Sequence, residues 1–483
     1  MPSPGTGDNT DSTLSELMQL VRELVAEVQP HRQGDSAADI SLDTSFEKDL
    51  GLDSLTRVEL VSRVEKKFSL ALPEQVLAQV DSPRDLLRAI QGAVSSKQTP
   101  DGPVVQKGVQ TVVQEAALDR VSQLPDEAET LLDVLDWHAA RHPERPHIRL
   151  YADDVDGEII SYAQLRSGAA GVAAGLQQRG LQPAEPVVLM LPSGPEYFYS
   201  FFGILMAGGI PVPIYPPARP SQLEDHMRRH VRILRNCRAS IFITVDEARK
   251  VARLLMAQVP ELRHIVSLNE LSDATAEANL PRISANDIAF IQYTSGSTGN
   301  PKGVMLTHAN LLSNIRAMGR VIGADSSDVF VSWLPLYHDM GLIGAWLGSL
   351  YHAALFVVMS PLSFLARPER WLRAMHRYRG TLSASPNFGY EYCLRRIDDE
   401  DIKGIDLSSW RAAFNGAEPV SVETLEGFSS RFQAYGFSRK AMTPVYGLAE
   451  STVGLAFPPP GRGPLIDTIE RDRFMRTGSA RPV

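Results

Sequence analysis

The chain opens with a helical period. Leu14, Leu17, Leu20, Val21, Leu24, Val25 and Val28 recur at spacings of three and four, which draws one apolar stripe along a helix. A second apolar face with charged edges runs through Leu55, Val58, Val61, Val64, Glu65 and Phe68. A last helix is expected after Ser82-Pro83, because proline fits the first turn of a helix. These patterns predict an all-helical bundle over residues 12–95, too small for a deep active site. Residues 1–11 are predicted to be a disordered N-terminus. Residues 96–125 hold Gly, Pro and Gln without a sustained apolar period and are predicted to be a linker. As a flexible coil, about 30 residues would span roughly 30 Å.

From residue 126 to 483 the pattern changes. Helical stretches alternate with short β-rich runs at 186–191, 210–215, 240–245, 288–294, 329–335 and 354–359. Strands alternating with helices need crossover connections. The expected fold is therefore an α/β large domain of mixed, mainly parallel sheets flanked by helices. One stretch, Tyr197 to Ala218, carries no charge, yet Gly208, Gly209, Pro211 and Pro213 interrupt it. A membrane span needs about 20 predominantly apolar residues, so this reads as a buried helix followed by a buried strand.

Composition narrows the picture. With 483 residues, more than one domain is expected. A net charge of −9 and a pI near 5.7 leave no basic footprint for nucleic acid. Two cysteines, Cys237 and Cys393, cannot build a disulfide framework and match no metal-ligand spacing, which suits a reducing cytoplasm. The first residues lack the basic start and apolar run of a signal peptide.

Within the small bundle, Gly51-Leu52-Asp53-Ser54-Leu55 places a serine where a loop becomes a helix. Serine there caps a helix by accepting a bond from a free N–H. Asp49, Asp53 and Glu59 surround it with negative charge suited to basic partners. The segment resembles the attachment motif of acyl carrier proteins, over residues 12–92. That resemblance implies 4′-phosphopantetheine on Ser54, placed there by a phosphopantetheinyl transferase, with no chemistry done by the bundle itself.

The richest motif follows the β-like run 288–292. Tyr293-Thr294-Ser295-Gly296-Ser297-Thr298-Gly299-Asn-Pro-Lys302-Gly303 combines glycines, hydroxyls and a lysine. Such a loop lets backbone N–H groups approach an anion, with hydroxyl donors and one positive charge added. It is not the G-x-x-x-x-G-K-[ST] loop, since glycine follows Lys302 and the spacing differs. The string resembles the phosphate loop of the adenylate-forming enzymes, which include acyl-CoA synthetases, luciferases, peptide-synthetase adenylation domains and fatty acyl-AMP ligases.

Further motifs fit that family in order. Trp333-Leu-Pro-Leu-Tyr-His338-Asp339-Met-Gly341 resembles the motif whose histidine or aromatic borders the acyl tunnel. Asn415-Gly416-Ala417-Glu418-Pro419 resembles the adenine-contacting turn. Tyr446-Gly447-Leu-Ala-Glu450-Ser451 resembles the motif whose tyrosine packs on adenine and whose glutamate helps hold Mg²⁺. Taken singly, His338, Tyr446 and Glu450 have ordinary readings as a core histidine, core packing and a surface charge. The resemblance, over residues 130–483, implies that a carboxylate attacks the α-phosphorus of ATP and pyrophosphate leaves. Lys302, Mg²⁺ at Glu450 and the N–H groups of 295–299 would neutralise the shifting charge, and Thr294, Thr298 and Ser451 would orient phosphate oxygens.

Tyr337-His338-Asp339 followed by Met-Gly-Leu-Ile-Gly, together with Ser385-Pro-Asn387-Phe388-Gly, looks more like fatty acyl-AMP ligases than CoA synthetases. The implied substrate is a medium- or long-chain fatty acid, with His338, Asp339, Ser385, Asn387 and Phe388 near its pocket. Asp339 is expected to support His338, although an aspartate in this motif can also hold an amine. The implied acceptor is a phosphopantetheine thiol on the chain's own carrier or on a downstream carrier of a synthase making polyketides, lipopeptides or lipids. A fatty acyl-CoA synthetase and a non-catalytic carrier and ligand-binding module remain as alternatives. Relatives continue beyond the point equivalent to Val483 with a ribose-binding aspartate, a hinge and a small domain bearing a second lysine, so the chain is expected to be part of a longer protein.

Overall fold

The computed structural model describes residues 8–28, 40–46, 49–50, 60–61, 63–64, 67–68, 70, 72, 80–96, 120–152, 157–216, 223–272, 280–294 and 301–483. The chain divides into two compact units. One comprises Met1–Gly108, Pro217–Arg228 and Pro361–Arg367; the other comprises Val109–Pro216, Arg229–Ser360 and Pro368–Val483.

In the first unit, helix α1 (Asp8–Val28) buries Leu17, Val21, Leu24 and Val25, with Leu14 and Leu20 at the margin. Helix α2 (Pro83–Ser96) starts with proline in its first turn. The Ser82 hydroxyl donates to Asp85 Oδ2 at 2.8 Å, and Asp85 in turn accepts from the Asp81 N–H at 3.2 Å. The core between them takes Ile40, Phe46, Leu60, Val61, Val64, Leu86 and Ile90. Arg84 grips Asp43 through two bonds of 2.6 and 2.7 Å. Ser54, Leu55, Val58 and Glu65 lie outside the described residues, as does the side chain of Val28.

The second unit is built on parallel sheets. Strands β1 (Pro146–Leu150), β2 (Ile159–Ser161), β9 (Val329–Ser332), β10 (Leu355–Val358), β11 (Leu382–Ser385), β12 (Ala412–Asn415) and β13 (Met442–Pro444) form one sheet in the order β13-β12-β11-β9-β10-β1-β2. All its pairings are parallel except β1–β2. Strands β3 (Pro186–Met190), β4 (Ile210–Pro213), β5 (Ile241–Thr244) and β6 (His264–Val266) form a second, all-parallel sheet in the order β4-β3-β5-β6. Strands β7 (Ile288–Thr294) and β8 (Lys302–Thr307) make an antiparallel hairpin, with β7 beside β4. A two-stranded ribbon joins β14 (Tyr446–Gly447) to β15 (Gly454–Ala456).

Helices α3 (Leu131–Arg141), α4 (Tyr162–Gln178), α5 (Pro195–Met206), α6 (His308–Ile322), α7 (Gly348–His352), α8 (Asn387–Arg396) and α9 (Val422–Phe432) are among the covering helices. The uncharged stretch forms α5 and then β4, with every side chain of β4 buried, as its breaks predict. Among the described residues no helix is long and apolar enough to cross a membrane.

A π-helix over Met340–Leu347 runs straight into α7. Its sequence MGLIGAWL is apolar on nearly every face, which suits an element buried all round. Trp346, near its carboxyl end, is ringed edge-on by Phe198, Phe201 and Phe202. The Trp346 indole N–H donates to His147 Nε2 at 3.2 Å.

The predicted linker is not free to its end. The Arg120 guanidinium donates to Asp325, and the Val121 N–H donates to the Ser326 hydroxyl at 2.8 Å. Residues 120 and 121, at the carboxyl end of the predicted linker, are thus bonded to the 325–326 segment.

Candidate active site

Parallel strands set the site's location. In an open α/β sheet, ligands bind beyond the carboxyl ends of the strands, where loops diverge and backbone groups lack ladder partners. Here β11, β12 and β13 are neighbours and end at Ser385, Asn415 and Pro444. Three of the motifs noted in the sequence begin at these ends.

Asn415 is fully buried, and the turn after it is under backbone strain. Ala417 adopts φ 67°, a left-handed conformation that costs a non-glycine residue about 1 kcal/mol or more. Asn387, the first residue of α8, holds this turn. Its Oδ1 accepts from Asn415 Nδ2 at 3.2 Å and from the Ser421 N–H at 3.0 Å. Glu418 Oε1 accepts from the Phe388 N–H at 2.6 Å. The Val445 N–H donates to the Asn415 carbonyl at 2.8 Å, which binds the 415–419 turn to the 446–451 segment. Gly416 sits close against Val445, where a Cβ would come within 2.9 Å.

Tyr446 is 62% exposed, so its ring face is open at the end of the sheet. Glu450 is exposed and Ser451 half-buried in the short turn that follows. That turn closes through Thr452, again at positive φ (75°). Asn314 of α6 braces the ribbon: its Nδ2 donates to the Gly454 carbonyl at 2.8 Å, and its Oδ1 accepts from the Gly454 N–H at 3.1 Å.

The hairpin supplies the cation. Thr294 and Lys302 face each other across β7 and β8, and Lys302 is exposed. Ser295, Gly296, Ser297, Thr298 and Gly299 lie outside the described residues. Gln292 Nε2 of the same hairpin donates to the Tyr337 carbonyl at 2.9 Å, which ties β7 to the 333–341 motif. His338 and Asp339 form a pair there, Nδ1 to Oδ1 at 2.8 Å. The hydrogen bond to Asp339 raises the His338 pKa above its ordinary value, against the opposing effect of burial. Asp339 Oδ1 also accepts from the Met340 N–H at 2.7 Å, where the π-helix begins.

A cavity of about 100 Å³ opens among these elements. Asp339, Ala417, Tyr446 and Gly447 stand at its strand-end side. Ile315, Phe330, Leu382 and Phe414 carry it under α6 toward the amino-terminal ends of the strands. Most of the wall is apolar, as a hydrocarbon tail requires. Ser385, Asn387, Phe388 and His338, which the family resemblance puts near the substrate, are not part of this wall. Ser385 is buried, with its hydroxyl donating to the Pro386 carbonyl at 2.7 Å. Phe388 stands edge-on to Trp333. The wall residues of α6 and α7 were not visible from the sequence, since only the fold brings them to the strands.

Residues 135–472 match the AMP-binding enzyme family, and residues 19–90 match the phosphopantetheine attachment site family. The medium-chain-fatty-acid–[acyl-carrier-protein] ligase JamA of Moorena producens is 37% identical over 335 residues, 68% of this chain and 56% of that protein. The long-chain-fatty-acid–AMP ligase FadD32 of Mycolicibacterium smegmatis is 34% identical over 364 residues, 73% of this chain and 57% of that protein. The crystal structure of a fatty acid AMP ligase from Legionella pneumophila superposes with a TM-score of 0.65 at 38% identity, covering 70% of this chain and 58% of that one. The chain thus spans little more than half the length of the curated relatives it matches. With a family match over most of its length and its motifs gathered at the carboxyl ends of a parallel sheet, the chain belongs to the AMP-binding enzyme family and carries a phosphopantetheine attachment domain at its amino-terminal side.

Proposed function

We propose that the protein activates a medium- or long-chain fatty acid with ATP, forming acyl-AMP and pyrophosphate, and passes the acyl group to a phosphopantetheine thiol. The observation that carries this reading is the apolar cavity running back from Asp339, Ala417 and Tyr446 beneath the sheet. The relatives' names, which refer to fatty acids, AMP and acyl carrier proteins, support it.

In this reading the acid lies with its tail in the cavity and its carboxylate at the strand ends. The carboxylate oxygen forms a bond to the α-phosphorus while the bond to the pyrophosphate oxygen breaks. No protein nucleophile is needed, so alignment and charge neutralisation do the work. Lys302 and residues 294–299 would hold the phosphates, Tyr446 the adenine face, and the 415–418 turn the adenine edge, with Gly447 and Ser451 beside them. His338, paired to Asp339, would border the acyl group.

Magnesium fits the residues present. Among the described residues there is no cluster of three or more His, Cys, Asp or Glu poised for a metal. A lone exposed carboxylate such as Glu450 suits an ion that keeps its waters and takes its remaining ligands from phosphates. Bound there, magnesium would supply charge neutralisation on the phosphate oxygens.

Residues 12–95 serve as the carrier, 96–125 as the connection and 126–483 as the activating domain. Ser54 bears the arm, added by a phosphopantetheinyl transferase, and the acyl group passes to it or to a downstream carrier of a multimodular synthase. Cys237 and Cys393 are both free thiols, and the cytoplasm is the compartment this reading calls for.

The test is a mass measurement on the full-length protein. Incubated with CoA and a promiscuous phosphopantetheinyl transferase, it gains one arm; ATP and a fatty acid then add one acyl group, and Ser54→Ala removes both gains. An arm that persists in Ser54→Ala sinks the carrier assignment. Acyl-CoA produced in solution, with the arm left unacylated, makes the protein a CoA synthetase instead.

A further inference from the structure

The wall of the cavity carries two glycines that packing within the protein does not explain. The π-helix and α7 run along one side of the cavity and line it at Asp339, Met340, Gly344, Gly348 and His352. Across residues 341–350 every residue is buried except Gly344 and Gly348, which are half-buried. Their open side is the cavity.

After proline, glycine is the least favourable residue inside a helix, so each one calls for a reason. Gly341 and Gly319 have theirs in the packing of the protein. A Cβ on Gly341 would come within 2.4 Å of the Pro335 carbonyl, and one on Gly319 within 2.0 Å of His352 Nε2. Gly344 has no such neighbour: a Cβ there would meet nothing within 4 Å. At Gly348 a Cβ would meet only the Ile343 carbonyl, at an ordinary 3.5 Å. Side chains at these two positions would stand in the cavity, where glycine leaves room for a ligand. The two follow one another away from the reactive end. Asp339 marks that end, where the π-helix begins, and Gly348 lies one turn beyond Gly344, roughly 5–6 Å along the axis. Ile315, Met318 and Ile322 of α6 also line the cavity, which makes its wall apolar along this path.

We infer that Gly344 and Gly348 are the specificity-determining residues for chain length: the acyl chain passes Gly344 first and Gly348 second, and their missing side chains set how long an acid the cavity admits. A side chain at 344 stops the chain a turn earlier than the same side chain at 348, and a long acid needs both positions bare. This rests on the fatty-acid-activating reading above and names the residues that select within its substrate class.

The experiment uses the full-length protein and acid-dependent ATP–pyrophosphate exchange with straight-chain saturated acids of rising length. Gly344→Leu is expected to lower the ratio of kcat/KM for a long acid to that for a short one by about tenfold or more, the scale on which an apolar pocket rejects a group it cannot hold. Gly348→Leu should also move the preferred length down, but by fewer carbons. Melting transitions are followed in parallel. If a leucine variant does not fold, Gly344→Ala, whose methyl has room, carries the test through a ratio lowered by about threefold or more. A ratio unchanged in the folded variants overturns the inference and leaves fatty-acid activation standing. So does a Gly348→Leu variant that shortens the preferred length more than Gly344→Leu. No exchange with any acid by the unaltered protein overturns the activation reading itself, and this inference with it.

Discussion

The two edges of the seven-stranded sheet are built on opposite terms. At the amino-terminal edge, polar groups are buried and paired. Asp328, just before β9, accepts from Arg411 Nε at 2.8 Å and Nη2 at 2.6 Å, from the Thr381 hydroxyl at 2.7 Å and from the Asp325 N–H at 3.1 Å. Arg411 also donates to the Ile322 carbonyl at 2.7 Å. At the carboxyl edge, Ala417 and Thr452 hold strained backbone, while Tyr446 and Glu450 stand exposed. One edge stabilises the sheet, and the other spends stability on a shape that its ligand completes.

The largest expected effect is at the paired edge. Asp328→Ala leaves the Arg411 guanidinium without its carboxylate and should cost about 3–5 kcal/mol, read as a lower urea midpoint. A loss below about 1 kcal/mol would mean that this edge is no anchor.

Acid should strike the buried core next. Burial lowers the pKa of His138 to about 4, of His147 to about 3 and of His308 to about 4. His147 and His308 also accept hydrogen bonds, from Trp346 Nε1 and the Leu131 N–H, which requires an unprotonated nitrogen. Their folded pKa values lie below the unfolded value near 6.5, so the unfolded chain binds more protons as pH falls. Stability is then complete above about pH 6.5 and drains between there and pH 4, continuing to pH 3 for His147. A step from pH 6.5 to 5.5 should cost about 1 kcal/mol for each histidine, about 3 kcal/mol together. A flat urea midpoint over that step would show that these histidines are not held neutral.

At the open edge the expected effects fall on function. Glu450→Ala in the full-length protein should reduce pyrophosphate exchange at least tenfold, about 1.4 kcal/mol, with stability changed by less than about 0.5 kcal/mol. Unchanged exchange in the folded variant would remove Glu450 from the site. The smallest effect is Ala417→Gly, which relieves the left-handed strain and should raise stability by at most about 1 kcal/mol without faster exchange. A loss of stability would show that the Ala417 methyl contributes packing rather than strain.

What the sequence disclosed follows from how local each signal is. Runs such as 186–191 and 210–215 form strands because consecutive apolar, often β-branched residues bury both faces of a parallel sheet. Strand β11, Leu-Ser-Ala-Ser, has no apolar run to mark it, because its serines are buried only once the fold supplies acceptors, as when the Ser383 hydroxyl donates to the Val331 carbonyl at 2.6 Å. The motifs around Lys302, Asn415 and Tyr446 were readable as strings. The work of Asn387 was not, since its partners Asn415 and Ser421 meet it only after β11 and β12 pair. The same holds for His352 and Gly319, more than thirty residues apart and joined only by packing. Ser54 and Ser295–Gly299, prominent in the sequence, lie outside the described residues.

If the proposed reaction is right, an apolar tail enters the cavity behind Asp339 and Tyr446 while its carboxylate meets ATP at the strand ends. The most direct measurement is ATP–pyrophosphate exchange by the full-length protein, compared across fatty acids, amino acids and aryl acids. The expected result is a kcat/KM for a medium- or long-chain fatty acid at least tenfold above that of any amino acid. Preference for an amino acid would contradict it and would make Asp339, at the cavity wall, the anchor of an ammonium group.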